Sequence, residues 1–316
     1  MSRDDTLAAL QDLKKQVHDL PPEVAAATLV ALLRSGEDAP TGLGFVVGDE
    51  GVLAESPRYR VALLDLLGQT DPDTAVAYSR SILAETTQPD EYALALRNLA
   101  WLDHEGTLTA EVSSRFSAML DRTDWLAAPT TGYLEAFDIA VAVGGNTMIS
   151  ELSSVLRLTT HDPAVDRAKI DRAAFIALDR IMQREPDSIA ALFTADPTFL
   201  DFAPNHRASL LSRLDPASPS GQKTLRTYLQ SIPPAGEELA YFIKIFPNPN
   251  SFEGNRLVTS WETSSTPTTS ITRRDQAALA FVETLLTEST YVDLAPPLQT
   301  LRTRLLTYTR PPDPAP

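Results

Sequence analysis

The sequence predicts an all-α protein made of stacked helical hairpins. Three observations carry this expectation. Apolar residues recur at three- and four-residue spacing, which marks helices with one buried face. Glycine is scarce, at 13 of 316 residues. Several of the 24 prolines follow a polar residue just ahead of an apolar run. An Asp in that place accepts first-turn amides, and proline at the first helical position gives up no hydrogen bond.

Taken along the chain, the first break in helical rhythm is Gly36 to Glu55. Phe45-Val46-Val47 and Val52-Leu53-Ala54 flank Gly48-Asp49-Glu50-Gly51 and predict a short β-hairpin over 45–54. Asp71-Pro72 and Gln88-Pro89-Asp90-Glu91 then open helices, and Tyr92, Ala95, Leu96, Leu99 and Leu102 form the first clear stripe. Val112, Phe116, Met119 and Leu120 form the next, after a start near Thr107. Starts near Thr130 and at Asn146 precede the stripe Met148, Ile149, Leu152, Val155 and Leu156. Asp162-Pro163, Glu185-Pro186, Asp196-Pro197 and Asp215-Pro216 are read as further starts. Ala278, Leu279, Val282, Leu285 and Leu286 mark a late helix, and Leu294, Leu298, Leu301, Leu305 and Tyr308 the last. The second break is a long irregular loop over 247–274. Ten of its sixteen residues from Leu257 to Thr272 are Ser or Thr. The tail PPDPAP is expected to fray.

Helix starts from Pro72 to Pro163 lie about fifteen to twenty-three residues apart, so two helices fill roughly one repeat unit of 35–40 residues. From Arg58 to about Met182 the chain resembles the HEAT and tetratricopeptide class of α-solenoids. The resemblance implies architecture only. No consensus recurs from unit to unit, and the tetratricopeptide Trp–Gly–Tyr pattern is absent. Irregular hairpins in a compact bundle are the alternative. One helical domain over 1–316 is expected, with a subdivision into 1–217 and 218–316 where Ser218 to Gly221 gathers turn-forming residues.

The bulk numbers exclude several classes. A formal charge of −15 and a pI near 4.7 make the chain a poor partner for nucleic-acid phosphates or anionic lipid. The absence of cysteine rules out disulfides, thiolate metal sites and a cysteine nucleophile. No apolar run reaches the ~18 residues of a membrane helix, so no membrane insertion is expected. MSRDDTLAAL lacks a basic region followed by an apolar core, so no signal peptide is read in this sequence. The expected location is cytoplasmic, or exported after loss of a signal.

Patterns that carry chemistry are missing. His18, His104, His161 and His206 are far apart, and no H-E-x-x-H spacing exists. Gly42, Gly44 and Gly48 are spaced one residue too long for the dinucleotide fingerprint. Gly144-Gly145-Asn146 reads as a tight turn with Asn146 as N-cap. Ser220-Gly221 lacks the upstream glycine of a nucleophile elbow, and Asp162, Asp166 and Asp171 lack the central glycine of a calcium loop. No cofactor or metal is expected.

The loop after Phe246 is the most unusual feature. Phe246, Asn248, Asn250, Phe252, Asn255, Arg256 and Trp261 supply aromatic, amide and guanidinium groups, which are common on recognition surfaces. The expected function is a non-enzymatic scaffold or adaptor with a protein or peptide partner. One alternative is an all-helical α/α-toroid enzyme acting on saccharides, with Trp101, Asp103, His104, Arg256 and Trp261 as candidates. The other is a structural subunit of a larger assembly.

Overall fold

The fold comes from a computed structural model, which describes residues 2–102, 106–159, 167–248, 254–258 and 268–309. It is mostly helical and irregularly stacked, with one two-stranded sheet. The chain divides into two compact units. The first takes Met1–Ile181 with Glu253–Thr263, and the second Met182–Phe252 with Ser264–Pro316.

In the first unit α1 (Arg3–His18) starts with a capping box. Ser2 Oγ accepts from Asp5 N, and the Asp5 carboxylate accepts from Ser2 N. α2 (Pro22–Arg34) leads to the hairpin, β1 (Val46–Val47) and β2 (Leu53–Glu55). The strands pair antiparallel with Val46 opposite Glu55 and Val47 opposite Leu53, where the sequence pattern predicts them. α3 (Tyr59–Thr70), α4 (Pro72–Glu85), α5 (Pro89–Leu102) and α6 (Thr109–Leu120) follow. Asp71 caps α4 as expected, its carboxylate accepting from Thr74 N. Three short helices come next: α7 (Thr123–Ala127), α8 (Thr131–Glu135) and α9 (Asp138–Val143). α10 (Gly145–Thr159) and most of α11 (Arg167–Arg184) complete the unit.

Consecutive helices from α2 to α6 pack on one another, and α3 also packs on α5. The stripe Val112, Phe116, Met119 and Leu120 is buried throughout, as is Met148, Ile149, Leu152, Val155 and Leu156. Trp125, Tyr133 and Phe137 meet edge to face between these helices.

The second unit contains α12 (Pro186–Ala195), α13 (Pro204–Leu211), α14 (Pro219–Ser231), α15 (Glu237–Ile245), α16 (Thr268–Thr287) and α17 (Ala295–Thr309). Helices two apart again meet: α12 with α14, α13 with α15 and α15 with α17.

Some local expectations fail for identifiable reasons. Asp196-Pro197 opens a turn instead of a helix, because the Asp196 carboxylate accepts from both the amide and hydroxyl of Thr198. Asp215 likewise closes a turn onto Ala217 N, and α14 starts later, where Ser218 accepts from Gly221 N ahead of Pro219. Gly144 and Gly145 both have positive φ, and α10 begins at Gly145 with Asn146 already inside it. The 247–274 segment ends in α16, which starts at Thr268. Tyr308, expected on a buried stripe, is exposed. The Asp162-Pro163 start lies outside the described residues.

Gly51 and Gly132 are among the glycines required by close approach. Gly51 has φ +79°, and a Cβ there would run into the Leu257 carbonyl and the Trp101 ring. Gly132 leaves no room for a Cβ against the Asp90 carboxylate and the Phe45 ring. Gly51→Ala is therefore expected to lower the unfolding free energy by about 2 kcal/mol or more. Gly42 shares the left-handed backbone but faces open space. Gly42→Ala should cost only about 1 kcal/mol. Urea midpoints of the two variants check the difference.

Candidate functional site

The first unit is built over charged groups sunk into its core. Arg97 on α5 is fully buried, and its guanidinium lies 3.8 Å from the centre of the Trp101 ring. It donates to Asp65 Oδ1 on α3 (2.5 Å), to the Gly51 carbonyl in the hairpin (2.9 Å) and to Asn98 Oδ1 (2.8 Å). Asp65 also accepts from Leu53 N of β2 and from the Gln69 amide. One guanidinium thus ties the hairpin to two helices. Burial works against the Arg97 charge and pushes its pKa down, while the Asp65 carboxylate pulls it up.

A second buried centre holds the segment 254–258. Arg180 on α11 donates to Asp138 Oδ1 (2.7 Å) and to the Asn255 carbonyl (2.6 Å). Asp138 Oδ2 accepts from Val258 N (2.8 Å), and Glu135 Oε2 accepts from Arg256 N (3.0 Å). The Asn255 side chain donates to the Leu134 carbonyl (2.7 Å). Leu257 is fully buried, and Gly254 lies close against Ile176. The helices read this segment mainly through its main chain, as a peptide groove reads a ligand.

The residues expected to form a recognition loop fall in both units. Asn255 and Arg256 belong to the first; Asn255 is half-buried and Arg256 is exposed. Phe246 and Asn248 belong to the second and are buried. Phe246 stacks on Phe242 at 4.9 Å between ring centres. Asn248 N donates to the Ser212 carbonyl (3.0 Å), and Arg213 donates to the Asn248 carbonyl (3.3 Å). Asn250, Phe252 and Trp261 lie outside the described residues, as do Asp103, His104 and His161. Trp101, the remaining enzyme candidate, is packed beneath Arg97.

In the first unit a concavity of about 660 Å³ lies between α2 and α4. Sequence reasoning missed it. Val30, Leu33, Ala77 and Ile82 give it an apolar floor, and Thr74, Tyr78, Ser81 and Thr86 add hydroxyls. Arg34 and Glu85 stand exposed at its edge. Arg60 lies deeper, donating to Glu91 Oε1 (2.8 Å) and to the Leu33 carbonyl. Burial opposes the Arg60 charge, but Glu91 and Tyr78 outweigh it and hold the pKa above the ordinary arginine value.

Among the described residues, no group of three His, Asp or Glu side chains is placed to hold a metal ion. No described helix is long and apolar enough to cross a membrane. No family model matches the chain, and comparisons with curated proteins and with solved structures find no match.

Arg97→Met would leave Asp65 charged and unpaired in the core, and is expected to cost about 3–5 kcal/mol in chemical denaturation. Glu135 supplies a pH test. Burial, then the Asp138 charge, raise its pKa above the ordinary 4.5, against the Arg256 amide and nearby cations. The folded state therefore holds this proton more tightly than the unfolded state. Glu135 destabilises the fold progressively as pH rises from 4.5 through its raised pKa, and the penalty is complete once the pH is well above that pKa. Glu135→Gln keeps an acceptor for Arg256 N. It should be at least as stable as wild type at pH ~7, with the gain vanishing on acidification below the ordinary glutamate pKa. Urea titrations across pH measure this; a gain that persists at low pH would contradict it.

Proposed function

We propose that the chain is a non-enzymatic helical scaffold of α-solenoid type whose first unit binds a peptide segment of a partner protein. The groove between α2 and α4 is the observation that carries this reading. It combines an apolar floor, a row of hydroxyls and separated charges, a mixture suited to side chains and main chain of a peptide. Packing of helices two apart supports the repeat-like architecture. Net charge of −15 favours a basic or neutral partner. Glu85, exposed at the edge, is placed to meet a basic side chain, whereas the buried Glu91 is already occupied by Arg60. The exposed Arg256 is the recognition-loop residue that this reading retains as a contact.

The groove is tested with peptides selected from a displayed random library against the full chain, their affinities then measured by calorimetry. Ser81 is exposed on the groove face of α4, and its hydroxyl bonds only within its own helix. Ser81→Trp should weaken selected peptides at least tenfold, on the order of 1.4 kcal/mol. Glu85→Gln should weaken basic peptides roughly twofold to fivefold at low salt, as expected for an exposed ion pair. Ser154→Trp, on the exposed face of α10, should change nothing. Selected peptides that bind Ser81→Trp as well as wild type overturn the assignment.

A further inference from the structure

We propose that the second unit holds a separate small-molecule site, which takes a carboxylate carried on an aromatic or branched apolar body. α12, the turn 196–203, α13 and α14 enclose about 230 Å³. That is roughly the space of seven or eight water molecules at ~30 Å³ each, enough for one ring with a short acidic arm and too little for a peptide. Phe193, Pro197, Leu211 and the Tyr228 ring supply the apolar wall.

Three features make this a built pocket instead of a packing gap. Its wall is braced from behind. Phe193 meets Phe199 edge to face at 5.8 Å, and Tyr228 meets Phe242 at 5.2 Å. Arg207, also in the lining, donates to both oxygens of Glu238 at 2.7 Å each and to Asp201. The adjoining turn is strained as well. Leu200 is buried with φ +65°, a left-handed backbone that branched side chains avoid. This turn delivers Pro197 to the wall and Asp201 to Arg207, so the unfavourable conformation serves the pocket.

The third feature is the charge pattern. Arg207 is committed to two carboxylates, and Asp201 and Glu238 are committed to it. Lys223 is different: it lies exposed in the lining and forms no ion pair among the described residues. It stands one residue from Thr224 on α14, whose hydroxyl proton is not spent on a main-chain carbonyl among the described residues, whereas Thr194, Thr227 and Ser231 each donate theirs to a carbonyl of their own helix. The Tyr228 hydroxyl is buried beside Glu238 without a well-formed hydrogen bond. The Lys223 ammonium, with the Thr224 hydroxyl beside it, selects an anion, and the wall selects an apolar body.

Phenylacetate and its neutral analogue 2-phenylethanol serve as probes of the full chain, by calorimetry or saturation-transfer NMR. Phenylacetate should bind at least about fivefold tighter than the alcohol, the scale of one charged contact. Lys223→Gln should erase that difference and leave the alcohol's affinity unchanged. Thr194→Trp, at an exposed lining position, should abolish binding of both while circular dichroism shows an unchanged melting midpoint. Equal affinity of wild type for acid and alcohol overturns the proposal. So does binding retained by Thr194→Trp, or no binding of either probe at millimolar concentration.

Discussion

The first unit depends on a buried charge that packing alone does not explain. Arg97 is enclosed on every side, a position that costs several kcal/mol for an unpaired cation. The surrounding structure is arranged to meet that cost. Asp65 supplies the counter-charge, the Gly51 carbonyl and Asn98 take further N–H groups, and Trp101 covers one face. These partners come from three separate stretches of chain. The hairpin, α3 and α5 must therefore all be in place before the guanidinium is satisfied. Alternative packings of the same apolar stripes would leave it orphaned. Here the ion pair contributes more to choosing one arrangement than to net stability.

The second buried centre extends this logic to the segment 254–258. Asp138 is shared between Arg180 and Val258 N, so the same carboxylate pairs a core cation and fixes a loop amide. Gly51 links the two centres. Its carbonyl accepts from Arg97, and its missing side chain lets Leu257 approach. A loop rich in polar residues is held because its main chain finds partners that water would otherwise supply. Arg256 and the half-buried Asn255 differ for the same reason. The Asn255 amide is used inward on Leu134, whereas Arg256 is an exposed residue held by its main-chain amide on Glu135.

The helices and hairpin were legible because their signals are local. Stripe spacing, the starts at Pro72, Pro89 and Pro186 and the Gly-flanked turn act within a few residues of themselves. The misread starts at Asp196 and Asp215 show the limit of that logic, since Asp caps a turn as readily as a helix. The candidate sites were less legible because they are assembled from distant positions. Arg34, Tyr78 and Glu91 meet in one groove although nearly sixty residues separate the ends. One signal was nevertheless present. Asp65 lies inside VALLDLLG, Arg97 and Asn98 inside ALALRNLA, Asp138 inside FDIAVAV and Arg180 inside IALDRIM. A charge embedded in an apolar run on both sides cannot reach solvent from a helix buried all round. It must have a partner, and those partners define the core of the first unit. Amphipathic-stripe reading passes over such residues because it looks for one polar face.

Rigidity beneath the groove follows from the same use of arginine. Arg60 reaches from α3 to Glu91 on α5 and to the Leu33 carbonyl near the end of α2. It thereby ties α2 to α5 beneath the depression that α2 and α4 border. Binding to a surface already ordered loses less conformational entropy than binding to one that must be assembled. In the proposed peptide groove, the exposed groups at the edge, Arg34, Ser81 and Glu85, would then need to supply only selectivity. In the second unit Arg207 does the corresponding work, gripping Glu238 and Asp201 behind a wall that faces a smaller volume. In both units an arginine paired with a carboxylate lies in the lining of a concavity, and the charged groups left exposed around it are those that the proposed ligands would meet.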